Sequence, residues 1–191
     1  HRTLDFIETH LRRPEGEGFN HELPPTGWRQ QNPHMHLTEA CLAAYEATGA
    51  RMSRPSHLML LAKVQGKGGE VDEALRALTA ARAVSEETGE RSNAAEFHRL
   101  RGELTLLKSQ APGIEAEAEA CFREAIAVAR RQHTKAMELR AATSLARLWE
   151  RQGKRKEARA MLAEVYGSFT EGLDTRDLRE AAALLGRARN R

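Results

Sequence analysis

The sequence predicts an all-α fold built from antiparallel helix hairpins, and three observations carry that prediction. Ala, Leu, Glu and Arg are abundant while aromatic residues are only 5% of the 191 residues. Such a composition favours helices packed through small side chains over sheets, which draw on β-branched and aromatic residues. A helix-stop signal recurs at long, nearly constant spacing: Glu46-Ala-Thr-Gly-Ala-Arg51 returns forty residues later as Glu86-Glu-Thr-Gly-Glu-Arg91. Forty-four residues further on, Arg130-Arg-Gln-His-Thr-Lys135 holds the same place. Between these stops lie paired helical patterns whose small residues fall at matching offsets.

Each Gly of the stop signal suits the left-handed residue that ends a helix. His133 stands where Gly49 and Gly89 stand, so a positive φ is expected there too. The clearest pair of helices reads Leu58, Leu61 and Ala62, then Gly69, then Ala74, Leu78 and Ala81. A later pair repeats it with Ala142, Leu145, Ala146 and Trp149, then Gly153, then Ala158, Leu162 and Val165. The middle pair has His98, Gly102, Ala118, Phe122 and Ala125, with a longer turn around Ser109-Gln-Ala-Pro-Gly113, where Pro and Gly cannot continue a helix. Ala62, Ala74, Gly102, Ala118, Ala146 and Ala158 would let two helices approach closely. Each hairpin alone leaves an apolar face exposed, and stacking of neighbours covers it, which predicts a superhelix with a concave inner face.

These offsets resemble the tetratricopeptide repeat over roughly residues 54–169. The wording Phe97-His-Arg-Leu-Arg-Gly-Glu-Leu104, Ala118-Glu-Ala-Cys-Phe-Arg-Glu-Ala125, Glu138-Leu-Arg-Ala-Ala-Thr-Ser-Leu-Ala-Arg-Leu-Trp149 and Val165-Tyr-Gly-Ser-Phe-Thr-Glu-Gly-Leu-Asp174 goes further. It is similar to the C-terminal repeat region of bacterial multidomain proteins that join an adenylate cyclase or transcription-regulator domain to a regulatory ATPase. The resemblance implies a sensing or binding role for the repeats. The ATPase and cyclase activities are not carried over, since the sequence holds neither a Walker A motif nor a cyclase domain.

At the C-terminal end, Thr175 to Arg189 carries Leu178, Ala181, Ala182, Leu185 and Ala188 on one face, with Asp174 or Thr175 as N-cap, and predicts a capping helix. At the other end, residues 35–48 read as the second helix of a hairpin. Its first helix is replaced by a loop containing Pro14, Gly16, Gly18, Pro24, Pro25, Gly27 and Pro33, preceded by a short helix around residues 3–11. The expected organisation is therefore a short helix and Pro/Gly-rich loop over 1–33, then a helical-repeat domain over 34–191 with about three and a half hairpins plus the cap. An uncovered first repeat would favour a homodimer or an upstream domain at that edge.

The net charge of +3, from 30 Lys and Arg against 27 Asp and Glu, demands no nucleic-acid partner. The distribution is uneven: residues 70–96 hold seven acids against three Arg, and residues 130–159 hold ten Lys or Arg against three Glu. No apolar run reaches the about 20 residues needed to cross a bilayer. No secretory signal is evident either, so a cytoplasmic location without membrane partners is expected. Cys41 and Cys121 lie in Ala-rich helical patterns and read as small apolar groups. His21, Glu22, His34 and His36 lack any metal-site spacing. Gly66-Lys67-Gly68-Gly69 lacks the strand and the Lys-Ser or Lys-Thr of a phosphate loop, and no Gly-x-Ser-x-Gly elbow exists. The expectation is a protein that is not an enzyme and has no metal or cofactor.

The first helix of each hairpin should line the concave face. That register names Met59, Lys63 and Lys67, then Arg99, Glu103 and Leu106, then Arg140, Thr143, Arg147 and Arg151 as candidate binding residues. Cations mixed with apolar groups suit an acidic or carboxylate-bearing protein or peptide. The alternative is nucleic-acid binding through the basic stretch 130–159.

Overall fold

The computed structural model describes Ala40, residues 53–109 and residues 111–186. The expected short helix, the Pro/Gly-rich loop, the histidine cluster, Cys41 and, Ala40 apart, the helix over 35–48 lie outside the described residues. The chain divides into two compact units, residues 1–89 and residues 90–191.

In the first unit, α1 (Arg54–Lys67) and α2 (Val71–Thr88) pack as a hairpin across the short turn Gly68-Gly69-Glu70. Pro55 opens α1, where its missing N–H would have had no helical partner. Ala62 and Ala74 are fully buried, as the close-packing pattern requires, with Leu58, Leu61, Leu78 and Ala81 beside them. Gly89 ends α2 at φ 70°.

The second unit holds α3 (Ala94–Lys108), α4 (Ile114–Arg131), α5 (Lys135–Arg151), α6 (Arg155–Gly167) and α7 (Arg176–Leu184). Successive pairs α3/α4 and α5/α6 form hairpins, and α4 packs against α5, α3 against α5 and α5 against α7. Among the described residues every element is a helix.

The small-residue positions lie where expected: Ala118, Ala146 and Ala158 are at most 2% exposed, and Gly102 faces the ring of Phe122. Ala118, Phe122, Leu145 and Leu148 form one buried cluster between α4 and α5. Leu139, Ala142, Ala146, Ala158, Leu162 and Val165 form another with Leu178 and Ala181 of α7. Complete burial of a Leu or Phe side chain contributes roughly 1.5–3 kcal/mol relative to exposure, so these clusters dominate the unit's stability.

Helix ends follow the sequence signals with one revision. His133 adopts φ 54°, the left-handed conformation expected from its register with Gly89. The longer turn after α3 carries Pro112, and Gly113 opens α4. The capping helix, expected to run to Arg189, stops at Leu184. Gly186 turns left-handed at φ 66°, which breaks the helix although the apolar pattern continues through Leu185. Ala188 lies outside the described residues. Thr175 sits at the N-cap position, without a side-chain hydrogen bond.

Candidate functional site

A cleft of the second unit lies where α3 and α5 pack side by side. It has a volume of about 510 Å³ and is lined by Glu103, Leu106, Phe122, Ser144, Arg147, Glu150 and Arg151. Its geometry follows from helix periodicity. Ser144, Arg147 and Arg151 stand three and four residues apart on α5, and Glu103 and Leu106 three apart on α3, so each set shares a face. Phe122 reaches the base of the cleft from α4 and is 1% exposed, a buried floor.

Four of the ten residues expected on a binding face, Glu103, Leu106, Arg147 and Arg151, line this cleft. Lys63 and Lys67 are exposed on α1, in the first unit. The other four are placed differently. Met59 is 5% exposed and belongs to the core of α1, which leaves no thioether for a ligand. Thr143 is 5% exposed, and its hydroxyl donates to the Leu139 carbonyl oxygen at 2.7 Å, a bond within its own helix. Arg140 is half-buried and its Nε donates to Asp177 of α7 at 2.5 Å.

Arg99 is the clearest revision. It is buried beneath the groove, with Glu96 at 2.6 Å on one side and Glu103 on the other. Ser144 of α5 joins the group, donating to the Glu103 carboxylate at 3.0 Å. Burial acts against the guanidinium charge. The hydrogen bond and attraction from Glu96, then those from Glu103, outweigh it and hold the pKa above the ordinary arginine value. Arg99 therefore fixes α3 against α5 and shapes Glu103, without being available to a ligand. Glutamates three before and four after an arginine are the sequence signal for this arrangement.

Arg147 is at once a groove residue and a partner of the capping helix: Glu180 lies 3.1 Å away and also accepts from Arg176 at 3.0 Å. A hydrogen bond from Arg176 is the main influence holding Glu180 below the usual carboxylate range, with burial opposing it and Arg147 adding to it.

A second cleft of about 370 Å³ lies at the turn between α5 and α6, lined by Glu150, Arg155, Lys156 and Arg159. Glu150 lines both clefts. The basic stretch 130–159 does not form one positive surface. Arg130 meets Glu138 and Glu164, Arg131 meets Glu124, Arg140 meets Asp177, Arg147 meets Glu180, and Lys154 approaches Glu119 at 3.9 Å. Among the described residues no ion pair engages Arg151, Arg155, Lys156 or Arg159. Phe122, Ser144 and Glu150 were missed from the sequence as groove residues, although Glu150 stands three beyond Arg147 and could have been read on its face.

Cys121 is half-buried, and burial above all pushes its thiol pKa up, away from nucleophilic character. Among the described residues no group of His, Cys, Asp and Glu is placed to hold a metal ion. No described helix is long and apolar enough to cross a membrane.

The sequence profile of the N-acylglucosamine 2-epimerase family matches residues 1–68, mostly outside the described residues and little more than a third of the chain. No curated protein matches the chain. Among solved structures, a Podosopora anserina protein designated a kinesin light chain, with nearly identical TPR-like repeats, is similar to this chain. The two superpose with a TM-score of 0.52 at 23% identity, over 81% of this chain and 75% of that one. The likeness shows the fold: an all-helical array of the tetratricopeptide-like type.

Proposed function

We propose that this chain is a protein-interaction module that takes a peptide segment of its partner in the groove between α3 and α5. The observation that carries the reading is the groove itself, bounded by the first helices of two successive hairpins, with apolar Leu106 beside Arg147 and Arg151. Such a mixture offers an apolar seat together with donors for carboxylate or backbone carbonyl oxygens. The reading is of a scaffold or sensory role, in which binding and not catalysis is the output. Glu103 is tied to Arg99 and Ser144, a structural engagement unlike that of a general acid or base awaiting substrate.

The wording of the repeats, similar to the C-terminal region of bacterial cyclase and regulator proteins, supports placing the module in a cytoplasmic bacterial signalling protein. The exposed cations favour an acidic partner.

The test is capture by the full chain from lysate of the source organism, followed by calorimetry with the captured protein. The same measurement is made with a Leu106→Ser, Arg151→Glu variant whose helicity matches the parent by circular dichroism. Loss of binding in the folded variant is expected; equal affinity would move the site off this groove.

A further inference from the structure

The two clefts of the second unit are adjacent, since Glu150 lines both. One offers Leu106 and the other Arg155, Lys156 and Arg159, with Arg151 at the near edge. Arg140, Arg147 and Lys154, by contrast, spend their charge on Asp177, Glu180 and Glu119. Among the described residues, no ion pair holds Arg151, Arg155, Lys156 or Arg159. Uncompensated positive charge gathered next to an apolar seat is complementary to a ligand of the opposite kind.

We propose that this strip binds an acidic peptide segment of another protein. A large apolar side chain of the peptide occupies the cleft at Leu106, and acidic residues next to it in the peptide lie along Arg151, Arg155, Lys156 and Arg159. The proposal rests on the groove reading above and adds to it the second cleft, whose cations take the acidic residues of the peptide.

A peptide fits better than a nucleic acid for two reasons. Phe122, the aromatic residue of the groove, is 1% exposed and offers no face on which a base could stack. Glu150 also stands in the middle of the strip, where a continuous phosphate backbone would meet a like charge at every pass. A peptide with spaced carboxylates avoids that repulsion, and its backbone N–H can donate to Glu150.

The probe is a labelled peptide with one Phe followed by alternating Glu and Ser, measured by fluorescence anisotropy on the full chain. A second peptide replaces each Glu by Gln, and a third replaces the Phe by Ser. The first should bind at least roughly tenfold more tightly than the other two, with affinity falling as salt rises. The variant Arg155→Glu, Lys156→Glu, Arg159→Glu alters exposed positions only and should bind the Glu peptide about tenfold more weakly while its affinity for the Gln peptide stays unchanged.

Equal binding of the Glu and Gln peptides, both weakened by Leu106→Ser, would overturn the acidic strip and leave the groove reading standing. Failure of every peptide, while lysate capture still depends on Leu106, would do the same. Tighter binding of duplex nucleic acid than of the Glu peptide, lost in the triple variant, would give the strip to another class of partner. Self-association of the parent at low salt that vanishes in the triple variant would assign it to a second copy of the chain. Either result overturns the proposal.

Discussion

Gly102 faces the ring of Phe122 so closely that a Cβ built on the glycine would lie 2.6 Å from Cε1 and 2.9 Å from Cδ1 of the phenylalanine. Phe122 cannot yield easily, because it is 1% exposed and wedged with Ala118, Leu145 and Leu148. Helix propensity alone favours Gly102→Ala by about 1 kcal/mol. Overpacking should outweigh that gain, since forcing extra carbon into a filled seam costs roughly 1–3 kcal/mol. A lower urea midpoint is expected for Gly102→Ala, and pairing it with Phe122→Leu should recover part of the loss. A Gly102→Ala protein more stable than its parent would show that the two helices separate freely.

The sequence revealed that seam because it depends on short-range spacing: Gly102, Ala118 and Phe122 share offsets with the other hairpins. The same logic located Ala62, Ala74, Ala146 and Ala158. It failed at Met59, Arg99 and Thr143, which lie on the expected stripe yet are buried. Helical register says which residues share a face but not how wide a strip the neighbouring helix covers. For Arg99 it also left out the third partner, Ser144, forty-five residues away. The groove was half legible for the same reason. Glu103, Leu106, Arg147 and Arg151 follow from register, whereas Phe122 enters from a different helix and the shared place of Glu150 depends on how α5 turns into α6.

His133 holds φ 54° at the stop after α4, where Gly89 holds φ 70° after α2. A non-glycine residue is strained there, and His is only among the more tolerant. Glycine relieves the strain but widens the unfolded ensemble, and the two effects are of similar size, about 1 kcal/mol each. His133→Gly should therefore leave the melting temperature unchanged or raise it. A clear fall would reveal a contact of the imidazole that outweighs the backbone strain.

Ala146 is 2% exposed in the cluster that joins α5, α6 and α7. Ala146→Leu inserts three further carbons where Ala158 and Leu162 already fill the space, and a loss on the order of 1–3 kcal/mol is expected. The check is urea unfolding with the slope compared as well as the midpoint. An unchanged midpoint at unchanged slope would contradict the close approach of α5 and α6.

Glu180 ties α7 to α5 through Arg147 and to its own helix through Arg176. Its folded-state pKa is lowered, so its contribution is present above the ordinary Glu value of about 4.3 and is lost as pH falls through the lowered folded value. The pair is partly exposed and screened, so the effect should stay below about 1 kcal/mol. Urea midpoints of the parent and Glu180→Gln should differ near neutral pH and converge as the solution is acidified below the carboxylate range. A gap that persists in acid would show that Glu180 acts through packing instead of charge.

The buried arginine supplies the sharpest test of what holds α3 to α5. Arg99→Ala would leave Glu96 and Glu103 facing one another without their cation, and removing one member of a buried ionic group typically costs about 3–5 kcal/mol. Part of the Glu103 side chain is exposed, which places the expected loss at the low end, about 3 kcal/mol. Ser144→Ala removes only a hydrogen bond to Glu103 and should cost about 1 kcal/mol. The decisive comparison is the combination Glu96→Gln, Arg99→Met, Glu103→Gln, which removes the charges together and keeps an apolar stem in the seam. It should be considerably more stable than Arg99→Ala, because the damage in the single variant comes from stranded carboxylates. Equal urea midpoints for the two would show that stranded carboxylates are not what destabilises Arg99→Ala, and that Glu103 turns out to solvent once the guanidinium is gone.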